Sequence, residues 1–182
     1  MKHLKFYTIV LFAMLLTACS SDDDNSDTYE NHITVGESVF EMHTVIVEPS
    51  LNSVFLSLTN SSEAEIVAAS DGTTLSNVDL FTARISYLDL TPGVTYELSE
   101  ISSLEFIVNG SIVGGEFENG ISQFYKSGSN TDLEVTQGSI TITEYDVDVI
   151  RLSFTFTRAD GVVISGDYEG SFLYIDNNNN LN

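Results

Sequence analysis

The sequence predicts an all-β domain. The expected arrangement is an antiparallel β-sandwich of about nine or ten short strands, with a closed meander β-barrel as the alternative. Three observations lead there. Apolar residues recur at every second position in segment after segment, the period of a strand with one face in a core and one in water. Turn-forming Gly, Pro, Asn and Asp punctuate these segments, roughly every 8 to 15 residues. Hydrophobic residues make up 42% of the chain, which suffices for one core over a single domain of ordinary size.

Taken in order, Phe40, Met42, Thr44 and Ile46 share one parity, and Val54, Leu56 and Leu58 form a shorter set. Ser62–Ser70 is the only stretch compatible with a short helix and is not counted as one. Phe81, Ala83, Ile85 and Tyr87 alternate with Thr82, Arg84 and Ser86. Pro92-Gly93 fits the two central positions of a type II turn. Leu104, Phe106 and Val108 follow, and Ile140 and Ile142 alternate with Thr141 and Thr143. The clearest strand is Ile150, Leu152, Phe154 and Phe156 against Arg151, Ser153, Thr155 and Thr157. Asp160-Gly161 then supplies the positive-φ positions of a tight hairpin. The return strand carries Ile164, Gly166, Tyr168, Gly170 and Phe172 on one parity. Gly166 and Gly170 there leave room for the Phe154 and Phe156 rings or let the sheet coil.

The N-terminus has a different character. Lys2 and Lys5 precede Phe6–Ala18, 13 residues without charge. As a helix this run spans about 20 Å, short of the roughly 30 Å of a hydrocarbon core. Basic flank, length and position fit an export signal. The run ends in Leu16-Thr17-Ala18-Cys19. That tetrapeptide resembles a bacterial lipobox. The resemblance implies cleavage before Cys19 and a covalent lipid on its thiol. Cys19 is the only cysteine, so no intramolecular disulfide competes for it. Ser20-Ser21-Asp22-Asp23-Asp24 follows at once. Ser21 and the three aspartates resemble the export signal of surface lipoproteins of the Bacteroidota type, which implies an outer-membrane anchor with the domain facing the medium. A periplasm-facing anchor is the alternative, with the acidic run serving only as a linker. The segment from Gly138 to Tyr174 resembles the C-terminal part of many small lipoproteins of the same group, and this bears on fold and context only.

The expected organisation is a signal peptide over 1–18, a lipidated cysteine and flexible acidic tether over 19–30, an all-β domain over 31–176 and a polar tail over 177–182. Removal of the signal leaves 164 residues, with four basic side chains against 27 acidic ones and a formal charge of −23. Such a polyanion is a poor partner for nucleic acid, whose phosphates require clustered Lys and Arg. Membrane contact is expected through the lipid alone. The expected partners are an extracellular glycan, a peptide or another outer-membrane protein.

Few residues point to chemistry. His32 and His43 are eleven positions apart with no ligand spacing around them, so zinc is not expected. His43 shares a parity with Glu41, Val45 and Val47 and reads as a strand residue. A Ser-His-Asp triad need not be local in sequence, but no Gly-x-Ser-x-Gly is present. Glu116 with Glu118, and Asp167 with Glu169, place pairs of carboxylates on one strand face. A glycosidase needs two facing carboxylates, but the solvent face of an amphipathic strand accounts for both pairs. Asp146 and Asp148 flank an expected bend and are weak calcium candidates, without the spacing of a calcium loop. No cofactor is expected beyond the lipid. Tryptophan is absent; Tyr87 and Tyr168 read as core, while Tyr29, Tyr125 and Tyr145 read as freer.

A non-catalytic surface module for ligand binding, adhesion or accessory assembly is therefore the leading expectation. A small surface hydrolase acting on glycans or peptides is the alternative. The anchor is directly testable. Cys19→Ala is expected to abolish incorporation of a fatty-acid analogue in metabolic labelling, and retained label would contradict lipidation at this position.

Overall fold

The computed structural model describes residues 30–175, and these form a β-sandwich. Two sheets face each other and do not close into a barrel. The six-stranded sheet contains β1 (His32–Val35), β2 (Ser38–Glu41), β6 (Val94–Glu97), β10 (Val135–Tyr145), β11 (Ile150–Arg158) and β12 (Val163–Gly170). Its order is β2-β1-β12-β11-β10-β6, antiparallel throughout. The second sheet contains β3 (Thr44–Ser50), β4 (Ser53–Thr59), β5 (Leu75–Ile85), β7 (Ile101–Val113), β8 (Glu116–Glu118) and β13 (Phe172–Tyr174), in the order β13-β3-β4-β5-β7-β8. Strand β9 (Ile121–Tyr125) also pairs with β7. Strand β13 pairs with β3 in parallel, and an isolated parallel bridge joins Tyr125 to Glu134. Helix α1 (Glu63–Ser70) joins β4 to β5.

Thirteen strands exceed the nine or ten read from alternation, because the extra ones are three or four residues long and too short to show a period. One expected strand is two. Phe40, Met42, Thr44 and Ile46 were expected on one face. In the structure the chain passes between the sheets at Met42-His43, so Val45 and Val47 point inward and Ile46 outward. His43 accordingly lies in the connection and not in a strand. Pro92-Gly93 forms the expected turn: Val94 N–H donates to Thr91 O at 3.2 Å and Gly93 has φ of 77°. The turn at Asp160-Gly161 has only Gly161 at positive φ, and Gly161 N–H donates to Arg158 O. This is a three-residue loop closed by a left-handed glycine, not a two-residue turn.

The core follows the parity of β11. Ile150, Leu152, Phe154 and Phe156 are buried and Thr155 is exposed. Phe154 crosses the interface to stack on Phe81 of the opposite sheet, with ring centroids 4.7 Å apart and planes within 4°. Phe124 and Phe106 extend the cluster, and Phe40 meets Phe106 edge-on at 5.1 Å.

Two glycines make room for these rings. Gly166 is the cross-strand partner of Phe154, and a Cβ there would sit 2.4 Å from Phe154 Cζ. Gly138 is the partner of Phe156, at a φ of 135°. A Cβ at Gly138 would come within 2.2 Å of the Thr155 carbonyl oxygen and 2.5 Å of the Phe156 ring. Gly170, expected to share this task, instead faces the Tyr168 hydroxyl. Phe154→Ala is therefore expected to lower unfolding free energy by about 3–5 kcal/mol, the range for aromatic truncation in a core. Thr155→Ala, on the exposed face, is expected to change it by less than about 1 kcal/mol. Chemical denaturation of the two variants checks this, and equal losses would contradict the burial pattern.

Candidate binding face of the seven-stranded sheet

Outward-facing side chains form a continuous row across the second sheet. Ile46 on β3 pairs with Ser57 on β4, Ser57 with Thr82 on β5, Thr82 with Glu105 on β7, and Glu105 with Tyr125 on β9. Neighbouring strands lie about 4.8 Å apart, and this row crosses five of the seven strands. Two concavities open along it. Ile46 and Ser57 line a groove of about 880 Å³, and Thr82, Glu105 and Tyr125 line a cup of about 420 Å³.

The groove is made by α1 and β8. The helix lies over the outer face and contributes Ile66, Val67 and Ala69 to the groove wall. Its start is fixed by a capping box: Glu65 N–H donates to Ser62 Oγ at 3.4 Å, and Ser62 N–H donates to Glu65 Oε2 at 2.8 Å. The backbone N–H and hydroxyl of Ser62 hold the Glu65 carboxyl below the usual carboxylate range. The Phe117 ring forms the opposite wall and lies over Gly110. The rest of the lining mixes apolar Leu80, Ile112 and Ile175 with the carboxylates of Glu48, Asp71 and Glu116.

The cup is polar. Ser and Thr hydroxyls from β5, β7, β9 and the loop after Tyr125 surround it, with Glu105 and Lys126 as its charged members. Ser122 Oγ donates to Glu105 Oε1 at 2.9 Å. Lys126 Nζ donates to the Leu98 carbonyl at 2.9 Å and to the Ile101 carbonyl. The loop is pinned over the Tyr125 ring. Asn130 N–H donates to Tyr125 Oη at 2.5 Å, Tyr125 Oη donates to Asn130 O at 2.8 Å, and Gly128 N–H donates to Glu134 Oε1 at 3.2 Å.

The residues singled out from sequence are placed unevenly. Leu16, Thr17, Ala18, Cys19, Ser21, Asp22, Asp23, Asp24 and Tyr29 lie outside the described residues, as do residue 176 and the tail over 177–182. Asp146 and Asp148 sit in the exposed β10–β11 turn, where Asp146 Oδ1 accepts from Val147 N–H at 2.6 Å. Among the described residues no group of three or more His, Cys, Asp or Glu side chains is arranged to hold a metal ion. Glu116 and Glu118 are both exposed, and only Glu116 lines the groove. Asp167 and Glu169 serve the fold: Asp167 accepts from the Glu30 and Asn31 N–H groups at 2.8 and 2.9 Å, and Glu169 accepts from Arg151 at 2.7 Å. His32 Nδ1 lies 3.9 Å from Asp167 Oδ2 and 3.8 Å from Glu30 Oε2. Among the described residues no serine hydroxyl bonds to either histidine.

Two tyrosines are placed against expectation. Tyr87, read as core, is 45% exposed. Strand β5 ends at Ile85, and the parity lapses with it. Its hydroxyl donates to Glu100, which pushes the phenol pKa up and holds the Glu100 carboxyl down. Tyr125, read as free, is 8% exposed because the pinned loop covers it. Tyr145 is half-buried against Phe172, and burial followed by the Asp89 carboxylate pushes its phenol up to about 12. Tyr168 is core as expected, and burial raises its phenol as well.

The groove wall depends on its helix cap. Ser62→Ala is expected to cost about 1 kcal/mol in denaturant unfolding and to raise amide exchange selectively across 63–70; unchanged exchange there would show that the cap does not hold the wall. Comparison of this chain with protein-family models, curated proteins and solved structures finds no match.

Proposed function

We propose that the chain is a lipid-anchored, non-catalytic module displayed on the cell surface, which binds its ligand on the outer face of the seven-stranded sheet. The observation that carries the reading is the continuity of that face: one side-chain row joins the groove to the cup. Open concavities that combine apolar walls with a few fixed polar groups are the usual form of a ligand site. The groove's carboxylates and apolar walls suit a ligand with cationic and apolar parts. The carboxylates of Asp167 and Glu169 are committed to backbone and arginine partners, which argues against a glycosidase role for that pair.

Display rests on the sequence. The lipobox at Leu16–Cys19 supplies the anchor, and Ser21 with Asp22–Asp24 supplies the surface signal. No helix among the described residues is long and apolar enough to cross a membrane. The proposed membrane contact is the lipid on Cys19. A charge of −23 on the mature chain keeps the domain off anionic headgroups. Replacing Asp22, Asp23 and Asp24 together with alanine is expected to leave lipidation intact and to reduce protease shaving of the domain from intact cells. Shaving at the wild-type rate would show that the acidic run is only a linker.

A further inference from the structure

We infer that the cup beside β9 is a subsite for a neutral sugar, taking the hydroxyl-rich end of an extracellular glycan. The inference rests on the binding-face reading above and adds the ligand class.

The cup's composition sets the chemistry. Ser122 is already spent on Glu105, and Ser102 Oγ donates to the Arg84 carbonyl at 3.1 Å. The hydroxyls of Thr82, Ser103, Ser127 and Ser129 form no side-chain hydrogen bond among the described residues. A hydroxyl both donates and accepts. A ligand that satisfies four of them must itself present several groups that do both, and a ring of vicinal hydroxyls does this. The remaining Glu105 oxygen accepts from hydroxyl donors, a stronger bond than a neutral pair makes.

Charge and rigidity narrow the class. One carboxylate and one ammonium line the cup, so it has no net charge of its own. Around it the mature chain carries a formal charge of −23. Uronic and sialic acids are therefore disfavoured against neutral sugars. The volume of about 420 Å³ lies within the range of small-molecule sites. The wall is built before the ligand arrives: Lys126 N–H donates to the Leu104 carbonyl at 2.8 Å, and Gly128 packs flat on the Tyr125 ring. A pinned loop reduces the ordering cost of binding. Ser57, in the groove, is the cross-strand partner of Thr82, in the cup, so a chain of sugars entering at the cup has a path toward the groove.

The test uses the full chain purified in a detergent without a sugar headgroup. It is applied to an array of neutral oligosaccharides of glucose, galactose, mannose and N-acetylglucosamine, with oligogalacturonate as the acidic control. At least one neutral glycan is expected to bind, and titration calorimetry then compares variants on it. Ser103→Phe fills the cup from an exposed position and is expected to abolish binding. Glu105→Gln keeps the shape and is expected to weaken binding at least tenfold, which covers the case in which the larger substitution misfolds. Thr155→Lys lies on the exposed face of the six-stranded sheet, away from both concavities, and is expected to leave affinity within twofold. Absence of binding to every neutral glycan would overturn the inference. So would equal binding of oligogalacturonate, retained affinity in Ser103→Phe with native circular dichroism, or loss of affinity in Thr155→Lys. A basic peptide captured by the groove with no glycan bound would remove this subsite and leave the binding-face reading standing. Failed surface display with glycan binding intact would do the reverse to the display reading.

Discussion

Phe154 reaches from the six-stranded sheet into the interface and lies flat on Phe81 of the other sheet, and it can do so because its neighbour across the strand, Gly166, has no side chain. Phe156 repeats the arrangement against Gly138. Aromatic rings set over bare glycine backbone in a neighbouring strand combine close packing with strand curvature. The chain passes from one sheet to the other several times, and the stacked rings fill the interface between them, too tightly fitted to tolerate one added methyl at Gly166 or Gly138.

From this constraint the difference between the two outer faces follows. The inward parities are filled by the aromatic and aliphatic core, so function must be built on what points outward. On the six-stranded sheet those positions carry residues such as Thr95, Thr141, Ser153, Thr155 and Ser165, with Thr95 and Thr141 hydroxyls 2.9 Å apart. On the seven-stranded sheet the outward row is covered at one end by α1 and walled at the other by the loop over Tyr125. Added elements on a rigid sheet give concavities whose walls are fixed by specific bonds: the Ser62–Glu65 cap in one case and the Tyr125–Asn130 exchange in the other.

Much of the sandwich was legible because half-buried strands write their exposure into every second residue. Val54, Leu56 and Leu58, and Ile150 through Phe156, are buried as their alternation requires. The failures have physical causes. At Met42-His43 the chain changes sheets, and the face that counts as inward changes with it. Helix α1 is not legible from periodicity because an eight-residue segment shows too little of it, although Ser62-Glu63-Ala64-Glu65 is a capping-box signature on its own terms. The binding face was not legible at all. Its row joins Ile46, Ser57, Thr82, Glu105 and Tyr125, residues tens of positions apart that only strand register brings together. The acidic pairs that sequence did single out are local neighbours, and local neighbours on a strand are mostly its solvent face.

The dependence of the fold on ring–glycine packing is tested most directly by a double-mutant cycle at Phe154 and Gly166, read by reversible denaturation. Gly166→Ala in the wild-type background drives a Cβ to within 2.4 Å of the Phe154 ring. With Phe154→Ala already in place, the residual close contact is the His32 carbonyl oxygen at 3.0 Å. The cost of the added methyl should therefore fall in that background, with a coupling of about 1 kcal/mol or more. Additive costs at the two positions would show that the ring and the glycine do not act as one unit, and the two sheets would then have to be held by something other than this contact.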